Sequence, residues 1–302
     1  MYELGWLTDR FEQNRARLQA VAYRMLGSQS EAEDAVQDTW LRLHRVDPDA
    51  ISNLDGWLTT VVSRVCLDML RARKARREDP IGAAAAEPIL PAGNALNPES
   101  EAVLADSVGV ALLVVLDTLT PAERLTFVLH DLFGMPFEEI ASIIGRSVAA
   151  SKQLASRARR RVRATPASSP ADRARQRELV EAFVRAIRTG NVEGLLAILD
   201  PDAVLRIDGA SRMAGGAADA ANEVREVRGA SLWAMQMIAM TRRFQSVQFV
   251  QAALIEESVG LIFAPRGKLS RALMFTCEDS KVTRIEVIGD PKQLRQLRIA
   301  VL

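Results

Sequence analysis

The sequence predicts a multidomain protein, two all-α modules followed by one α+β module, and three observations carry that prediction. Apolar residues in the first half recur at the spacing of one helix face, as at Leu18, Val21, Ala22 and Met25, with no strand-like alternation. Proline-bearing breaks divide the chain. The first, "PIGAAAAEPILPAGNALNP" from Pro80 to Pro98, holds four of the twelve prolines, and the second, "TPASSPAD", runs from Thr165 to Asp172. Beyond the second break, two helical patterns precede short β-prone runs. The expected domains are therefore 1–79, a linker 80–100, a helical module 101–165, a linker 166–173 and an α+β module 174–302.

Composition narrows the class. With 48% hydrophobic and 25% charged residues over 302 positions, the chain reads as an ordinary globular protein of two or three domains. No apolar leader follows Met1, and the longest apolar run, "VGVALLVVL" from Val108 to Leu116, is far short of the ~18 residues of a membrane span. It reads as a buried helix, and the expected location is the cytoplasm, with no membrane partner. Cys66 and Cys277 lie far apart without CxxC spacing, which argues against a disulfide framework or a zinc set and suits a reducing compartment; no metal or cofactor is expected. The net charge is +1, and residues 1–165 carry 20 basic against 22 acidic side chains, so nucleic-acid affinity would have to come from local patches.

In the first module, "AYRMLGSQSEAEDAVQDTWLRL" (Ala22 to Leu43) and "GWLTTVVSRVCLDMLRARKARRE" (Gly56 to Glu78) read as helices. Ala32, Val36, Trp40 and Leu43 form an inward stripe, leaving Glu33, Asp34, Gln37, Asp38 and Arg42 on an acidic outer face. In the second of these helices Trp57, Val61, Val65 and Met69 are the expected buried stripe. It ends in five cations within Arg71 to Arg77, a run that by itself also complements the helix dipole.

The second module ends in "FEEIASIIGRSVAASKQLASRARRRVR". Ile140, Ala141 and Ile144 share one helix face, Gly145 suits the positive φ of a tight turn, and Ser147 is a potential N-cap for the next helix. This is helix-turn-helix spacing. On the second helix, Leu154, Ala158 and Val162 fall inward while Lys152, Ser156, Arg160 and Arg163 fall outward, the segregation a major-groove helix requires. A basic helix face is by default only a solvated one, so the direction of the apolar stripe is what lends it a role. Arg146, Lys152 and Gln153 are placed to reach base edges, and Arg157, Arg160 and Arg163 to hold phosphates. Ser151 stands where many such motifs carry a branched apolar residue.

The third module shows helical patterns over Ala174 to Arg188 and Val192 to Leu199. The runs "AVLRID", "FQSVQFVQAALI", "VGLIFA", "SRALMFTC" and "KVTRIEVIG" follow, with turn signals at "APRGK" and "CEDSK". A curved antiparallel sheet with helices on one face is expected.

Taken in order, "EAEDAVQDTWLRL", "GWLTTVVSRVCLDMLRARKARRE" and "LTPAERLTFVLHDLFGMPFEEIASIIGRS" with the basic helix after it resemble the extracytoplasmic-function sigma factors of the sigma-70 family. The likeness covers most of residues 8–163. It implies a region 2 that grips the clamp of core RNA polymerase through Glu33, Asp34, Gln37, Asp38 and Trp40, and meets the promoter −10 element through Asn53, Trp57, Arg64, Arg71, Lys74 and Arg76. It also implies a region 4 that lies toward the polymerase flap and reads the −35 element through Arg146, Ser147, Lys152, Gln153, Ser156, Arg157, Arg160 and Arg163. The expected partners are thus core RNA polymerase and promoter DNA.

"TTVVSRVCLD", "KQLASRARRRV" and "EVIGDPKQLRQL" resemble the branch of that family with a cone-shaped α+β, SnoaL-like domain after region 4. That likeness implies a domain in intramolecular contact with the sigma regions that modulates them, with loops at Asp208, Gly209, Asp290 and Pro291. Two departures stand out: Ala84-Ala85-Ala86-Glu87-Pro88 where the branch often has Trp-Leu-Pro-Glu-Pro, and Asp208-Gly209-Ala210-Ser211-Arg212 where it often has Asp-Gly-Gly-Gly-Lys. Catalysis in this domain is the weaker reading, because both histidines, His44 and His130, lie upstream and only carboxylates such as Asp208, Glu286 and Asp290 remain for acid-base work. A free-standing helix-turn-helix regulator is the other alternative; it leaves residues 22–78 without a role.

Overall fold

The computed structural model describes residues 2–46, 51–78, 109–163, 169–208, 225–244 and 250–302. The expected linker 80–100, with its alanine block, and Gly209 to Arg212 lie outside the described residues. The chain forms two compact units, one of Met1–Pro88 with Leu116–Arg161, the other of Ile89–Val115 with Val162–Leu302. The boundaries of these units at Leu116 and Val162 fall inside the stretch expected as the second helical module, 101–165.

In the first unit, α1 (Tyr2–Leu26), α2 (Gln29–Leu43) and α3 (Leu54–Glu78) pack on one another. The run expected as helix from Ala22 to Leu43 is broken: Gly27 adopts φ +74°, which ends α1, and the Ser28 side chain caps α2. Phe11, Leu18, Met25, Leu43, Leu58 and Leu67 form the buried centre. The α3 stripe is wider than its periodicity suggests. Val61 and Val65 are buried but Trp57 and Met69 only half-buried, while Leu58, Val62, Cys66 and Leu70 are also buried. The physical reason is a second layer: α5 (Pro121–Phe127) and α6 (Phe137–Ile144) pack on α3 as well. Thr39, Thr59 and Ser63 lie in this interior, and each donates its hydroxyl to the carbonyl four residues back.

The second unit includes, as far as Val115, helix α4 (Val110–Asp117), whose apolar run is buried as expected. Its α+β part contains α8 (Pro170–Thr189) and α9 (Val192–Ile198), then β1 (Leu199–Ile207), β2 (Arg225–Arg228), α10 (Ala230–Phe244), β3 (Val250–Ile255), β4 (Ser258–Phe263), β5 (Arg271–Glu278), β6 (Lys281–Ile288), α11 (Pro291–Gln296) and β7 (Ile299–Ala300). Helix α8 starts at Pro170 behind the N-cap Ser169, so the end of the expected linker is already helical. The sheet order is β2-β1-β6-β5-β4-β3-β7.

The sheet is mixed, not antiparallel throughout: β1 runs parallel to β6, Leu205 facing Ile285. The remaining pairs are antiparallel. A parallel neighbour needs a crossover, and α10 with β3 to β5 supplies the intervening chain. Phe183 is fully buried at the centre, stacked 5.5 Å from Trp233 of α10 and edge-on 5.1 Å from Phe275 of β5. Asp279 and Ser280, at φ +48° and +62°, make the hairpin turn that "CEDSK" signalled. Glu256 and Glu257 make the turn between β3 and β4, where both carboxylates are engaged by Arg298.

Candidate nucleic-acid interface

The helix-turn-helix is built by two local devices. Gly145 ends α6 in the left-handed region, φ +69°, and both its own N–H and that of Arg146 donate to the Ala141 carbonyl. The Ser147 hydroxyl then accepts from Ala150 N–H at 3.2 Å and opens α7 (Val148–Val162). Ser151, out of pattern for such a motif, is fully buried; its hydroxyl satisfies itself on the Ser147 carbonyl at 3.0 Å.

The faces of α7 segregate as the spacing predicts. Leu154, Ala155, Ala158 and Val162 are buried, whereas Lys152, Gln153, Ser156, Arg157, Arg160 and Arg163 are exposed, with Arg146 and Ser147 exposed before them. The five arginines of the run do not form one class, however. Arg157 Nε and Arg161 Nη1 each lie 3.0 Å from Glu123, and Arg159 Nε lies 2.6 Å from Asp131. Among the described residues, Arg146, Lys152, Arg160 and Arg163 have no acidic partner. Lys152 instead places its ammonium 5.9 Å from the Phe137 ring, which stacks on His130. Arg157 was expected to hold phosphate; its Nε is spent on Glu123, and only the rest of its half-exposed guanidinium faces outward.

Glu123 is the centre of this arrangement, and the sequence reading passed over it. Its side chain is only 4% exposed and accepts from Thr120 N–H and Oγ1 as well as from the two arginines. Burial pushes its carboxyl up, but the Thr120 and Arg157 hydrogen bonds and the Arg161 charge together outweigh that, leaving it below the ordinary value. The signal was present in Thr120-Pro121-Ala122-Glu123, a capping-box pattern with proline at the first helical position. Next to it, Arg124 is nearly fully buried. Its Nε and Nη2 donate to the Arg24 carbonyl in the last turn of α1, and Nη1 lies 3.3 Å from Asp117.

The residues expected at the −10 element lie on α3 and its N-terminus. Arg64, Arg71, Lys74 and Arg76 are exposed, and Trp57, Arg64 and Arg71 recur at seven-residue spacing on one face. Asp68 stands in the same row, 3.6 Å from Arg71. Asn53 is exposed, but its Oδ1 accepts from Gly56 N–H at 3.0 Å, so the side chain also caps α3; residues 47–50 before it lie outside the described residues. Arg73 is turned inward, to Glu31 and the Leu26 carbonyl.

On α2, Glu33, Asp34 and Gln37 are exposed and Asp38 pairs with Arg42 at 3.0 Å. Trp40 is half-buried, its ring 4.7 Å from Phe11 and 4.1 Å from His44. At the far end of the chain, Asp208 Oδ2 accepts from the N–H groups of Gly289 and Asp290, and Asp290 caps α11, where Pro291 is the first residue. These carboxylates tie down a corner of the sheet. No helix among the described residues is long and apolar enough to cross a membrane.

Comparison with known proteins adds the family. Sigma-70 region 2 matches residues 10–76 and Sigma-70, region 4 matches residues 109–162. The ECF RNA polymerase sigma factor SigJ of Mycobacterium tuberculosis is 37% identical over 294 residues, which cover 94% of this chain and 91% of that protein. The probable ECF RNA polymerase sigma factor SigI of the same species is 34% identical, covering 94% and 93%. A crystal structure of M. tuberculosis SigJ aligns with 95% of this chain and 98% of that one at 33% identity, with a TM-score of 0.45. With both regions present in order and a full-length relative at this identity, the chain belongs to the extracytoplasmic-function RNA polymerase sigma factors of the sigma-70 family, which direct promoter-specific initiation of transcription.

Proposed function

We propose that this sigma factor holds the clamp of core RNA polymerase through the outer face of α2, with Glu33, Asp34, Gln37 and Asp38 as its charged and polar contacts and Trp40 as its half-buried support. Region 4, beside the flap, presents α7 to the −35 element, and α3 presents Trp57, Arg64, Arg71, Lys74 and Arg76 to the −10 element. The observation that carries this reading is the sorting of α7: an apolar inner face, three arginines engaged by acids of its own unit, and an outer row in which Lys152 and Arg160 have no acidic partner among the described residues. Arg160 holds phosphate, whereas Lys152 and Gln153, one turn into the helix, read bases. No chemistry of its own is required of the protein; polymerase supplies the reaction.

Reconstitution tests the whole. Purified protein added to core RNA polymerase should give initiation at a selected promoter, lost when either the −35 or the −10 element is scrambled; DNA binding without initiation would favour a free-standing regulator. Reversing Asp34 and Asp38 to lysine should weaken polymerase binding about tenfold while the thermal transition stays in place. A pull-down with undiminished recovery would count against the assigned face. Arg160→Ala should weaken binding to all sequences and lower the salt slope by about one, while Gln153→Ala should change which −35 sequence is preferred. Equal effects of both on selected and scrambled duplexes would undo that division.

The α+β part, read as a SnoaL-like domain, modulates region 4. Two hydrogen bonds support this, both within the second unit. Gln251 Oε1 of β3 accepts from Ala111 N–H at 2.8 Å, capping the first helix of the region 4 stretch. Val301 N–H donates to the carbonyl of Val162, the last residue of α7. One domain thus holds the two ends of the segment that faces the promoter.

A further inference from the structure

The second unit contains a pocket of about 350 Å³ where those two holds meet. Leu112 of α4, Val162 at the end of α7, Leu254 of β3, Val301 and Leu302 line it together with two cationic side chains, Arg163 and Arg173. The Nε of Arg173 is buried without a hydrogen-bond partner, and neither guanidinium has an acidic partner among the described residues. A buried donor left unsatisfied is costly, and native folds rarely tolerate one unless another molecule completes it. An arginine pair over aliphatic walls matches one ligand chemistry: a planar or tetrahedral oxyanion at the end of a short hydrocarbon chain. The volume is at the small end of the range for ligand sites, which limits the occupant to a small amphiphile.

We propose that this pocket binds an aliphatic carboxylate or phosphate, and that the ligand acts on promoter recognition because it touches both ends of the region 4 stretch. Leu112 follows the residue capped by Gln251, and Val162 carries the carbonyl bonded by Val301. An occupant therefore contacts the elements that hold region 4, and any difference in its affinity between two arrangements of that segment shifts the balance between them. The coupling half of this proposal rests on the regulatory reading above; the binding half does not.

Calorimetry on the full-length protein separates the two. Octanoate and octyl phosphate are the anionic probes, which tell carboxylate from phosphate, and octanol is the neutral control. At least one anion should bind, with octanol about tenfold weaker or worse. Arg173→Gln should bring the anion down to the octanol level, and Val301→Trp, which keeps the backbone bond but fills the pocket, should remove binding of all three. Octanol binding as tightly as both anions, or undiminished anion binding by Arg173→Gln, would overturn the site. The same protein is then titrated onto a duplex carrying the promoter selected in the reconstitution, with and without saturating anion. A shift of about fivefold or more is expected, corresponding to the lower end of allosteric coupling. Tight anion binding with unchanged promoter affinity would overturn the coupling half while the site itself stands.

Discussion

Replacing Arg124 by alanine is expected to destabilise the first unit by about 3–5 kcal/mol, the range for removing one partner from a buried charged network. The side chain is 3% exposed and donates to the Arg24 carbonyl through two nitrogens and to Asp117 through a third. Without it, a carbonyl in the last turn of α1 loses its donor inside the protein, and a guanidinium-sized cavity opens beside α3. Burial pulls the Arg124 pKa down to about 10 against the favourable charge of Asp117, so the cation is carried at neutral pH at a cost. Arg124→Met, which fills the space without the charge, should therefore lose less than Arg124→Ala. Urea unfolding followed by circular dichroism measures both. Equal losses for the two would mean that volume matters little here and that the hydrogen bonds account for the effect.

Glu123→Ala should cost about 2–4 kcal/mol, the sum of a lost capping box and of charge-assisted hydrogen bonds discounted for arginines that are half-exposed and can return to water. The effect on promoter binding is expected to be disproportionate. Arg157 and Arg161 anchor α7 to the start of α5, so their release alters the aim of the outer face, while two freed cations raise affinity for any DNA. The selected-to-scrambled binding ratio should fall and the salt slope should steepen by about one to two. Because the Glu123 carboxyl titrates below its ordinary value of 4.5 in the fold, its contribution is fully present above that pH and is lost as pH falls through the lower folded value. The parent should thus lose stability below about pH 4.5 more steeply than Glu123→Ala does. An unchanged binding ratio would reduce Glu123 to a cap, and parallel curves for the two would mean that its ionisation contributes nothing to stability.

Region 4 is largely legible in the sequence alone. The turn at Gly145, the cap at Ser147 and the two faces of α7 follow from 3.6-residue periodicity and from the conformational freedom of glycine, both properties of short stretches. The C-terminal strands β3 to β6 and the second half of β1 are visible from their β-prone composition, which is likewise a property of short stretches. Helix α10 is not, since "ASLWAMQMIAMTRRF" mixes apolar residues without clean segregation; Leu232 and Met235 are exposed while Trp233 and Ala234 are buried. The short strands β2 and β7 draw their order from the neighbours they pair with and carry little pattern of their own.

By itself, the sequence determined the type of most elements, the inward and outward sides of α7 and α2, and the family through two motifs in the right order. Tertiary structure alone decided that β1 lies parallel to β6, that Glu123 and Asp131 claim three of the five arginines, and that Gln251 and Val301 hold the ends of region 4. Periodicity reports which face of an element is buried, because burial repeats with the backbone's own geometry. It says nothing about which charge meets which. Arg157 and Glu123 are 34 positions apart and Ala111 and Gln251 are 140, so their pairing is set only when distant elements pack.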